Sequence, residues 1–279
     1  MGSDTHFETR GNRGGERRPP RALGRGDQRH LFKHWPQVAR RLWAAKQVAL
    51  FLDFDGTLVP IQSRLKHLHL KPSTRQLLRR LARHPSVALY VISGRRRADV
   101  RKRVNVPGAS YLGLHGWEQN GTRLSTVATR RFIAFARRLL SKKLAGLPNI
   151  RISDKGVTFD VHYRGASPAT TRKARAALHE VLDPLMPEVH VLHGKKIWEV
   201  LPLEIQGKGA AVQALLAKSP ALVLPIYVGD DTPDESAFKA LPHGITVRVG
   251  RPRRTWARFE LRNPQEVARF LNKMEAEIA

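Results

Sequence analysis

The chain has 279 residues, of which 41% are hydrophobic, and these values predict a soluble protein with a sizeable core divided between two domains. It contains no cysteine, which excludes disulfides, thiolate chemistry and cysteine-based zinc sites, and its longest apolar run, at about residues 222–228, is far too short to span a bilayer. The formal net charge of +27 is extreme, and it favours partners or substrates that carry negative charge.

Residues 1–30 are predicted to form a disordered basic tail. They are rich in Gly, Arg and Pro, contain few large apolar side chains, and hold seven Arg against four acids. They lack an apolar signal segment, so we expect a cytoplasmic protein. A helical pattern of apolar residues follows over residues 30–46.

The run VALFLDFDGTL, residues 48–58, carries the first chemical signal. Its first five residues predict a buried strand, and Asp53 and Asp55 share a face because side chains two apart in a strand point the same way. Gly56 allows the backbone to turn sharply here. Two adjacent carboxylates repel each other unless a cation lies between them or one is protonated, so the pair indicates a divalent metal, an acid/base pair or both. A plain Asp-Gly turn also explains these letters, whereas a calcium-binding loop is excluded because the positions of its Gly and Glu hold other residues.

The segments around this run alternate between helix and strand. Helices are predicted at residues 73–84 and 96–104, and apolar strands at residues 87–92, 110–114, 222–228 and 245–249. Apolar strands that are buried on both faces and alternate with helices are typical of a parallel sheet. The fold class is therefore predicted as α/β, with a Rossmann-like parallel-sheet core.

Residues 118–203 interrupt this core with a different pattern. Helices are predicted at about residues 130–144 and 168–185, and each is followed by two strands, the first pair turning at residues 154–156 and the second at residues 193–195. We therefore predict a core domain made of residues 31–117 and 204–279, and an inserted α/β cap in the order helix, hairpin, helix, hairpin. Such a module is expected to act as a lid over the carboxyl edge of the core sheet.

Polar groups are predicted at the ends of three core strands. Ligands of open α/β sheets bind beyond the carboxyl ends of the strands, so these groups should converge on one site. They are Asp53 and Asp55 after the first strand, Ser93, Gly94 and Arg95 after the second, and Gly229, Asp230, Asp231 and Asp234 after the strand at residues 222–228.

Two helix starts have both a chemical and a structural interpretation. Lys208, in the letters GKG, opens a helix where its charge opposes the helix dipole, which suits a bound anion, although a plain surface lysine is the simpler explanation. Thr232, Pro233 and Glu235 resemble a helix start with a cap, a first-position proline and a capping-box acid. In that interpretation Asp234 only interacts favourably with the helix dipole, and Asp230 is the better candidate for a metal ligand.

Basic residues cluster in three further places. Nucleic-acid binding is one interpretation, but the sequence has no recognised nucleic-acid-binding signature and its aromatic residues are not interleaved with the basic runs. We favour an Arg-rich surface around an anionic substrate, with weak nonspecific polyanion binding in addition. The clusters are Arg95, Arg96, Arg97, Arg101, Lys102 and Arg103; Arg130, Arg131, Arg137, Arg138, Lys142 and Lys143; and Arg251, Arg253, Arg254 and Arg258.

Four segments taken together, DFDGT, ISGR, GKG and GDDTPDESAF, resemble the motifs of the haloacid-dehalogenase-like phosphatases. They occupy residues 53–238 in the order that this superfamily uses, and the inserted module resembles its larger α/β cap. Within the superfamily the chain is similar to the trehalose-6-phosphate phosphatase family, through the softer motifs LHGWE, VHYR and GKKIWEVLP. The resemblance implies hydrolysis of trehalose 6-phosphate to trehalose and phosphate in trehalose biosynthesis. The high positive charge departs from what the family leads us to expect.

The resemblance also implies a mechanism in two steps. Asp53 would attack phosphorus and form an aspartyl-phosphate, and Asp55 would first donate a proton to the departing sugar oxygen and then accept one from water. Mg²⁺ is the implied cofactor. The implied metal-site residues are Asp53, Asp55 through its carbonyl, and Asp230, with Asp231 and Asp234 as further candidates, and the implied phosphate-binding residues are Ser93, Gly94 and Lys208.

Contacts with the sugar are expected mainly from the cap. On the strand near residues 157–164, His162 and Arg164 share the polar side with Asp160, which exposure to solvent would also explain. Lys196 and Glu199 are an odd number apart, so they reach one pocket only if Lys196 lies in the turn or a bulge intervenes. The candidate substrate-binding residues are Arg95, His115, Glu118, His162, Arg164, Lys196 and Glu199.

Several alternatives stay open on the sequence alone. A phosphatase for another sugar phosphate, such as sucrose-phosphate or mannosyl-3-phosphoglycerate, has the same motifs, and a phosphomutase also uses an aspartyl-phosphate. The alternative outside the enzymes is a polyanion-binding protein whose catalytic site is vestigial or secondary. No membrane partner is predicted, and the oligomeric state is left open.

Overall fold

The structure is a computed structural model that describes residues 29–61, 69–119, 127–185, 188–219, 222–251 and 253–278. The predicted disordered tail therefore lies outside the described residues, except for its last two positions. The strands in chain order are β1 (Gln47–Leu52), β2 (Val87–Ile92), β3 (Ser110–Leu112), β4 (Arg151–Asp154), β5 (Phe159–His162), β6 (Val189–Gly194), β7 (Ile197–Pro202), β8 (Val223–Gly229), β9 (Ile245–Val249) and β10 (Phe259–Leu261). The helices are α1 (Trp35–Trp43), α2 (Pro72–Arg83), α3 (Arg97–Val104), α4 (Val127–Leu144), α5 (Pro168–Leu182), α6 (Lys208–Leu216), α7 (Thr232–Ala240) and α8 (Pro264–Ile278).

The first sheet contains six parallel strands in the order β10-β9-β8-β1-β2-β3. β1 lies between β8 and β2, and its last residue, Leu52, is in register with Val228 on one side and Val91 on the other. Because the three strands run in the same direction, the residues that follow them meet at one edge of the sheet. The predicted parallel-sheet core is confirmed.

This sheet is buried on both faces, as its apolar strands predict. Successive side chains of β1 point to opposite faces, so Leu50 packs in the cluster that contains Leu77 of α2, while Phe51 packs in the cluster that contains Phe238 of α7. Both β1 residues are fully buried. Helices on both faces therefore hold the central strand, and with it the residue that follows Leu52, in a fixed position.

The second sheet is antiparallel, in the order β4-β5-β7-β6, and it carries α4 and α5 on one face. Phe159 and Trp198 are fully buried against these helices, in the cluster that also contains Ile133 of α4 and Leu178 of α5. The predicted order of helix, hairpin, helix, hairpin is confirmed. The elements of this unit lie within residues 127–202, and the domain boundaries at residues 118 and 203 stay a prediction.

A few elements differ from the prediction. The helical pattern at residues 30–46 is a 3₁₀ turn, Leu31–His34, followed by α1, and the strand predicted at residues 110–114 ends at Leu112. It ends there because Leu114 and His115 adopt left-handed backbone angles, with φ of 46° and 58°, which no strand tolerates. The C-terminal strand β10 and helix α8 were not predicted. No helix in the described part of the chain has both the length and the apolar character that crossing a bilayer requires.

The central position of Leu50 leads to a stability prediction. The Leu50→Ala variant should lower the free energy of unfolding by about 2–5 kcal/mol, because it leaves a cavity between strands that helices cover on both faces. Urea unfolding followed by circular dichroism measures this change. The matched control is Leu222→Ala, whose side chain is 66% exposed and which should change stability by less than about 0.5 kcal/mol. Equal unfolding midpoints for the two variants would contradict the buried position of β1.

Candidate active site

The ends of β1, β2 and β8 bring together the polar residues that the sequence singles out. Asp53 follows β1 and donates its amide to the carbonyl of Val228 at 2.9 Å, which joins the end of β1 to β8. Ser93 follows β2 and Asp230 follows β8, and all three polar side chains are buried. They line one cavity of about 830 Å³, together with Lys208 and residues of the second sheet, and this size is in the usual range for small-ligand sites.

Lys208 is the buried cation beside Asp53. Its side chain is only 4% exposed, and its Nζ donates to Asp53 Oδ1 at 2.6 Å and to Asp234 Oδ1 at 2.7 Å. The interpretation of Lys208 as a plain surface lysine is therefore wrong. Two buried carboxylates offset the unfavourable position of its charge at the first turn of α6.

Asp234 is the residue that organises the start of α7. Its Oδ2 accepts from the backbone amides of Asp230 and Asp231, both at 2.9 Å, and its Oδ1 accepts from Tyr227 at 2.8 Å as well as from Lys208. The four donors fill both oxygens of a fully buried carboxylate. Asp234 therefore joins the end of β8, the start of α7 and Lys208 in one network.

The capping residues of α7 differ from the prediction. Asp231 is the N-cap and Asp234 is the acid of the capping box, so the predicted cap at Thr232 and the predicted box acid at Glu235 are wrong. Glu235 instead accepts from the Thr255 hydroxyl at 3.0 Å. The shift by one residue follows from Asp231, whose oxygen reaches the first amides of the helix in place of the Thr232 hydroxyl.

The buried carboxylates differ in pKa because their partners differ. Burial raises the pKa of Asp53 well above its usual range, against the nearby charge of Lys208. Burial also raises the pKa of Asp230 to about 6. Burial also acts to raise the pKa of Asp234. Lys208 and the backbone amides outweigh this effect and hold the pKa of Asp234 below its usual value. Lys208 and Lys195 bring two positive charges to the three carboxylates of Asp53, Asp230 and Asp234, so one negative charge of the group stays unbalanced.

That unbalanced charge fits a divalent cation. Oxygens of Asp53, Asp230 and Asp234 lie within 4.8 Å of one another. Because both oxygens of Asp234 are already filled by four donors, Asp53 and Asp230 are the better ligands of the three. An all-oxygen set of buried carboxylates is the chemistry that Mg²⁺ prefers.

Asp55 lies at the mouth of the site and is held by Arg95. The guanidinium forms a bidentate pair with the Asp55 carboxylate, at 2.6 and 2.8 Å, and its remaining nitrogen donates to Asp99 at 2.9 Å. Arg95 also lines the cavity, as expected for a substrate-binding candidate. Its guanidinium nitrogens are nonetheless occupied by the two acids, so the geometry supports a role in orienting Asp55.

Two glycines allow the close packing of this site. Gly56 has a φ of +92°, and a Cβ placed on it would lie 2.2 Å from Asp230 Oδ2. Gly94 has no room for a side chain because a Cβ there would lie 2.8 Å from the His115 ring. The predicted sharp turn at Gly56 is thus present, and it brings backbone directly against a candidate metal ligand.

The tip of the second hairpin of the cap reaches the core site through Lys195. Its ammonium contacts Asp230 Oδ2, and its backbone amide donates to Asp231 Oδ2 at 2.8 Å. The sequence prediction chose Lys196 and missed Lys195. The alternation along a strand could not have identified it, because Lys195 lies in the turn between β6 and β7.

Lys155 is a second cap lysine that the sequence prediction missed. Its Nζ lies 2.8 Å from Asp160 Oδ2 and donates to the Gly94 carbonyl at 2.7 Å and to Glu199 Oε2 at 3.3 Å. His115 Nε2 lies 2.8 Å from the same Glu199 oxygen. Although burial opposes it, His115 and Lys155 hold the pKa of Glu199 below its usual value. This network connects the roof of the cavity to the Ser93–Arg95 loop, and it places His115 and Glu199 in the cavity as predicted.

The remaining cap candidates have different environments. His162 lines the cavity and lies 3.0 Å from Ser153 Oγ, and burial together with nearby positive charges lowers its pKa to about 4. Lys196 lies in the turn with a φ of 65°, and both Lys196 and Arg164 line the cavity. Glu118 does not line it. Its carboxylate accepts from the Arg97 amide at the start of α3 and from Arg96, so the geometry does not support the predicted sugar contact at Glu118.

Comparison with known proteins agrees with this arrangement. The profile of the trehalose-phosphatase family matches residues 51–255. The trehalose-phosphate phosphatase of Mycobacterium tuberculosis is 32% identical over 249 residues, which cover 84% of this chain and 63% of that protein. Trehalose 6-phosphate phosphatase RA3 of Zea mays is 30% identical, over 82% of this chain and 70% of that protein. The chain thus spans about two thirds of the length of these relatives.

Solved structures show the same fold. The C-terminal domain of Candida albicans trehalose-6-phosphate phosphatase superposes with a TM-score of 0.76 at 21% identity, covering 88% of this chain and 98% of that one. The sucrose-phosphatase from Synechocystis superposes with a TM-score of 0.52 at 18% identity, covering 82% and 98%. At these identities the likeness concerns the fold alone, and it extends over more than four fifths of this chain in each case.

The contact between Gly56 and Asp230 leads to a second stability prediction. The Gly56→Ala variant should lower the free energy of unfolding by about 3 kcal/mol, because it adds an atom against a buried carboxylate and strains a positive-φ backbone. The control is Gly146→Ala, which has a φ of +79° and no atom within 4 Å of the new Cβ, so it should cost only about 1 kcal/mol. Thermal or urea unfolding of both variants measures the difference. Similar losses in the two variants would show that Gly56 is required for its backbone angle alone.

Proposed function

The chain belongs to the trehalose-phosphatase family, and we propose that it hydrolyses trehalose 6-phosphate to trehalose and inorganic phosphate. The observation that carries this proposal is the buried group of Asp53, Lys208 and Asp230 beneath a cavity whose roof is polar. These residues lie within the span matched by the family profile. The relatives named above are trehalose-phosphate phosphatases by name, and the same substrate for this chain is our inference from them.

In the proposed reaction Asp53 is the nucleophile. One carboxylate oxygen attacks phosphorus, the bond between phosphorus and the sugar oxygen breaks, and an aspartyl-phosphate forms. The position of Asp53 supports this role, because its backbone is fixed by the hydrogen bond to Val228 and its Oδ1 is fixed by Lys208. Water then attacks the phosphorus of the intermediate and releases phosphate, which restores the carboxylate.

Asp55 is the proposed general acid and base. It donates a proton to the departing sugar oxygen in the first step and accepts a proton from the attacking water in the second. Arg95 holds both oxygens of Asp55 in a bidentate pair, which fixes the carboxylate for accepting the proton of water. Before Asp55 acts as the acid, one of its oxygens must leave this pair and take up a proton from solvent. The two acids therefore have different partners. Asp53, the proposed nucleophile, is paired with Lys208 inside the site, and Asp55, the proposed acid and base, is paired with Arg95 at its edge.

Mg²⁺ is the proposed cofactor, held by Asp53 and Asp230. When bound, it screens the repulsion between the nucleophile and the phosphate and stabilises charge on the phosphoryl oxygens. Ser93 and Lys208 contribute in the same sense, because the Ser93 hydroxyl is buried at the end of β2 and the Lys208 ammonium lies beside the nucleophile. Gly94 lets the loop approach the phosphate without a side chain in the way.

The cap supplies the proposed sugar site. Its sheet turns Glu199 toward the cavity, and Lys195, Lys196, His162 and Arg164 line the same space. The mixture of one acid with several cations and a neutral imidazole offers both acceptors and donors to sugar hydroxyls. The pyranose rings therefore lie under the cap, while the phosphate lies against the core.

A substrate panel tests the proposed function. With Mg²⁺ present, the purified protein should hydrolyse trehalose 6-phosphate with a kcat/KM at least about tenfold above that for sucrose 6-phosphate, mannosyl-3-phosphoglycerate and glucose 6-phosphate. Release of inorganic phosphate measures each rate, and excess EDTA should abolish it until Mg²⁺ is restored. A preference for another sugar phosphate would reassign the substrate, and an isomerised sugar without free phosphate would indicate a mutase.

The Asp53→Asn variant tests the mechanism. It should reduce kcat by at least about a thousandfold for every substrate, because an amide oxygen is a far weaker nucleophile. Lys208 keeps Asp234 as a buried partner, so the variant should remain folded by circular dichroism. The control is Asp183→Asn, an exposed acid after α5, which should keep the wild-type rate. If the Asp53→Asn variant keeps its turnover, the proposed mechanism through an aspartyl-phosphate on Asp53 is wrong.

A weak affinity for polyanions is a second proposal, and α4 supports it. This helix carries six Lys and Arg and no acid, and five of the six are exposed on the outer side of the cap. Binding of a short DNA duplex should weaken about a hundredfold or more between 50 and 200 mM salt. The triple variant Arg131→Glu, Arg138→Glu and Lys142→Glu should weaken it further without changing phosphatase activity. Binding that is independent of salt would contradict this interpretation.

A further inference from the structure

Asp160 is a buried acid that the proposed mechanism does not use. It lies on β5, its side chain lines the cavity, and the residue is only 3% exposed. Its Oδ2 lies 2.8 Å from Lys155 Nζ. Its Oδ1 is equally shielded from solvent but has no hydrogen-bond partner among the residues that the structure describes. Buried polar atoms are nearly always hydrogen-bonded, so a single orphaned carboxylate oxygen in a ligand cavity needs an explanation.

The fold accounts for the position of Asp160. Phe159 and Val161 point into the apolar core of the cap. Because side chains alternate along β5, Asp160 lies on the opposite face of the sheet, which lines the cavity. Asp160 is directly opposite Glu199 on β7 in the antiparallel register. Two acids across a strand pair repel each other, and Lys155 lies between them as a shared counter-ion. These contacts involve Oδ2, so the free oxygen contributes nothing to holding the sheet together.

The local charge decides which ligand group Oδ1 can bind. Burial raises the pKa of Asp160 to about 6, against the charge of Lys155, so the carboxylate is ionised at neutral pH and can only accept a hydrogen bond. The pair of acids disfavours a phosphate at this point, whereas a hydroxyl can donate to Oδ1. The phosphate is favoured beside Lys208, which also lines the cavity.

We propose that Asp160 is a specificity-determining residue whose free Oδ1 accepts a hydrogen bond from a hydroxyl group of the bound sugar, and that Lys155 positions it. This inference rests on the proposed function, because it requires a sugar phosphate as the substrate. It also fixes one direction of binding within the cavity, with the phosphoryl group toward Lys208 and a sugar ring toward the roof. Lys155 acts through Asp160 and Glu199, since its ammonium is fully engaged with those carboxylates and with Gly94.

The test compares Asp160→Ala with the wild-type protein on two substrates, trehalose 6-phosphate and p-nitrophenyl phosphate. The second substrate has no sugar hydroxyl, so the ratio of the two kcat/KM values isolates the sugar contact. We expect this ratio to fall by about ten- to a hundredfold, mostly through a higher KM for the sugar phosphate. Lys155 retains Glu199 and Gly94 as partners in the variant, so the fold should persist, which circular dichroism checks.

The matched control is Glu180→Ala. Glu180 is an exposed acid on α5 of the same cap that pairs with Lys143 at 2.5 Å and does not line the cavity. The ratio should stay within about twofold of the wild-type value, because surface pairs contribute little. Asp160→Asn should restore part of the ratio, since its amide oxygen can accept the same hydroxyl.

Deoxy analogues of trehalose 6-phosphate give the decisive readout. The loss caused by Asp160→Ala should disappear for the analogue that lacks the hydroxyl bound by Oδ1, and should persist for the others. A loss of equal size on all analogues and on p-nitrophenyl phosphate would overturn the proposal in favour of a structural role, and an unchanged ratio would overturn it directly. If the wild-type protein hydrolyses p-nitrophenyl phosphate but no sugar phosphate, the proposed function itself fails, so the two failures are distinguishable.

Discussion

The active site depends on one buried ammonium group held between two carboxylates. Lys208 joins Asp53 at the end of β1 to Asp234 at the start of α7, and it has almost no contact with solvent. A charge in this position is tolerated only because both partners are within hydrogen-bond distance. Asp53, which is the proposed nucleophile, is therefore fixed relative to the helix that supplies the lysine and to the helix that follows β8. Three buried carboxylates face only two ammonium groups here, Lys208 and Lys195, and the negative charge that remains makes the site suitable for a divalent cation.

The sequence predicts the core of this site well because the relevant signals are local. Asp53, Ser93 and Asp230 each follow a strand that is apolar on both faces, and parallel strands must end at one edge. The sequence around Lys208 is less informative, since a lysine at the start of a helix looks like a surface residue until its partners are known.

The assignment of the α7 cap fails for a similar reason. Asp231, Thr232 and Asp234 are all good capping residues, and only the backbone angles at the end of β8 decide among them.

The cap is harder to predict because its function depends on contacts between domains. A strand that alternates between apolar and polar residues has one face in a core, but the pattern does not reveal whether the polar face meets water or a second domain. Asp160 and Glu199 lie on that face and are buried. Lys155 and Lys195 are found at hairpin turns, where charged residues are ordinary, and yet they reach Gly94 and Asp230 of the core. The closed position of the cap is what converts these turn residues into parts of the site.

The contacts of Lys195 bear on how the cap is held to the core. Its ammonium and its backbone amide attach the hairpin tip to Asp230 and Asp231. Any movement of this tip away from the core breaks the ion pair and the amide hydrogen bond together, and it leaves the buried Asp230 carboxylate without its ammonium partner. The position of the cap is therefore coupled to the charge balance at the end of β8.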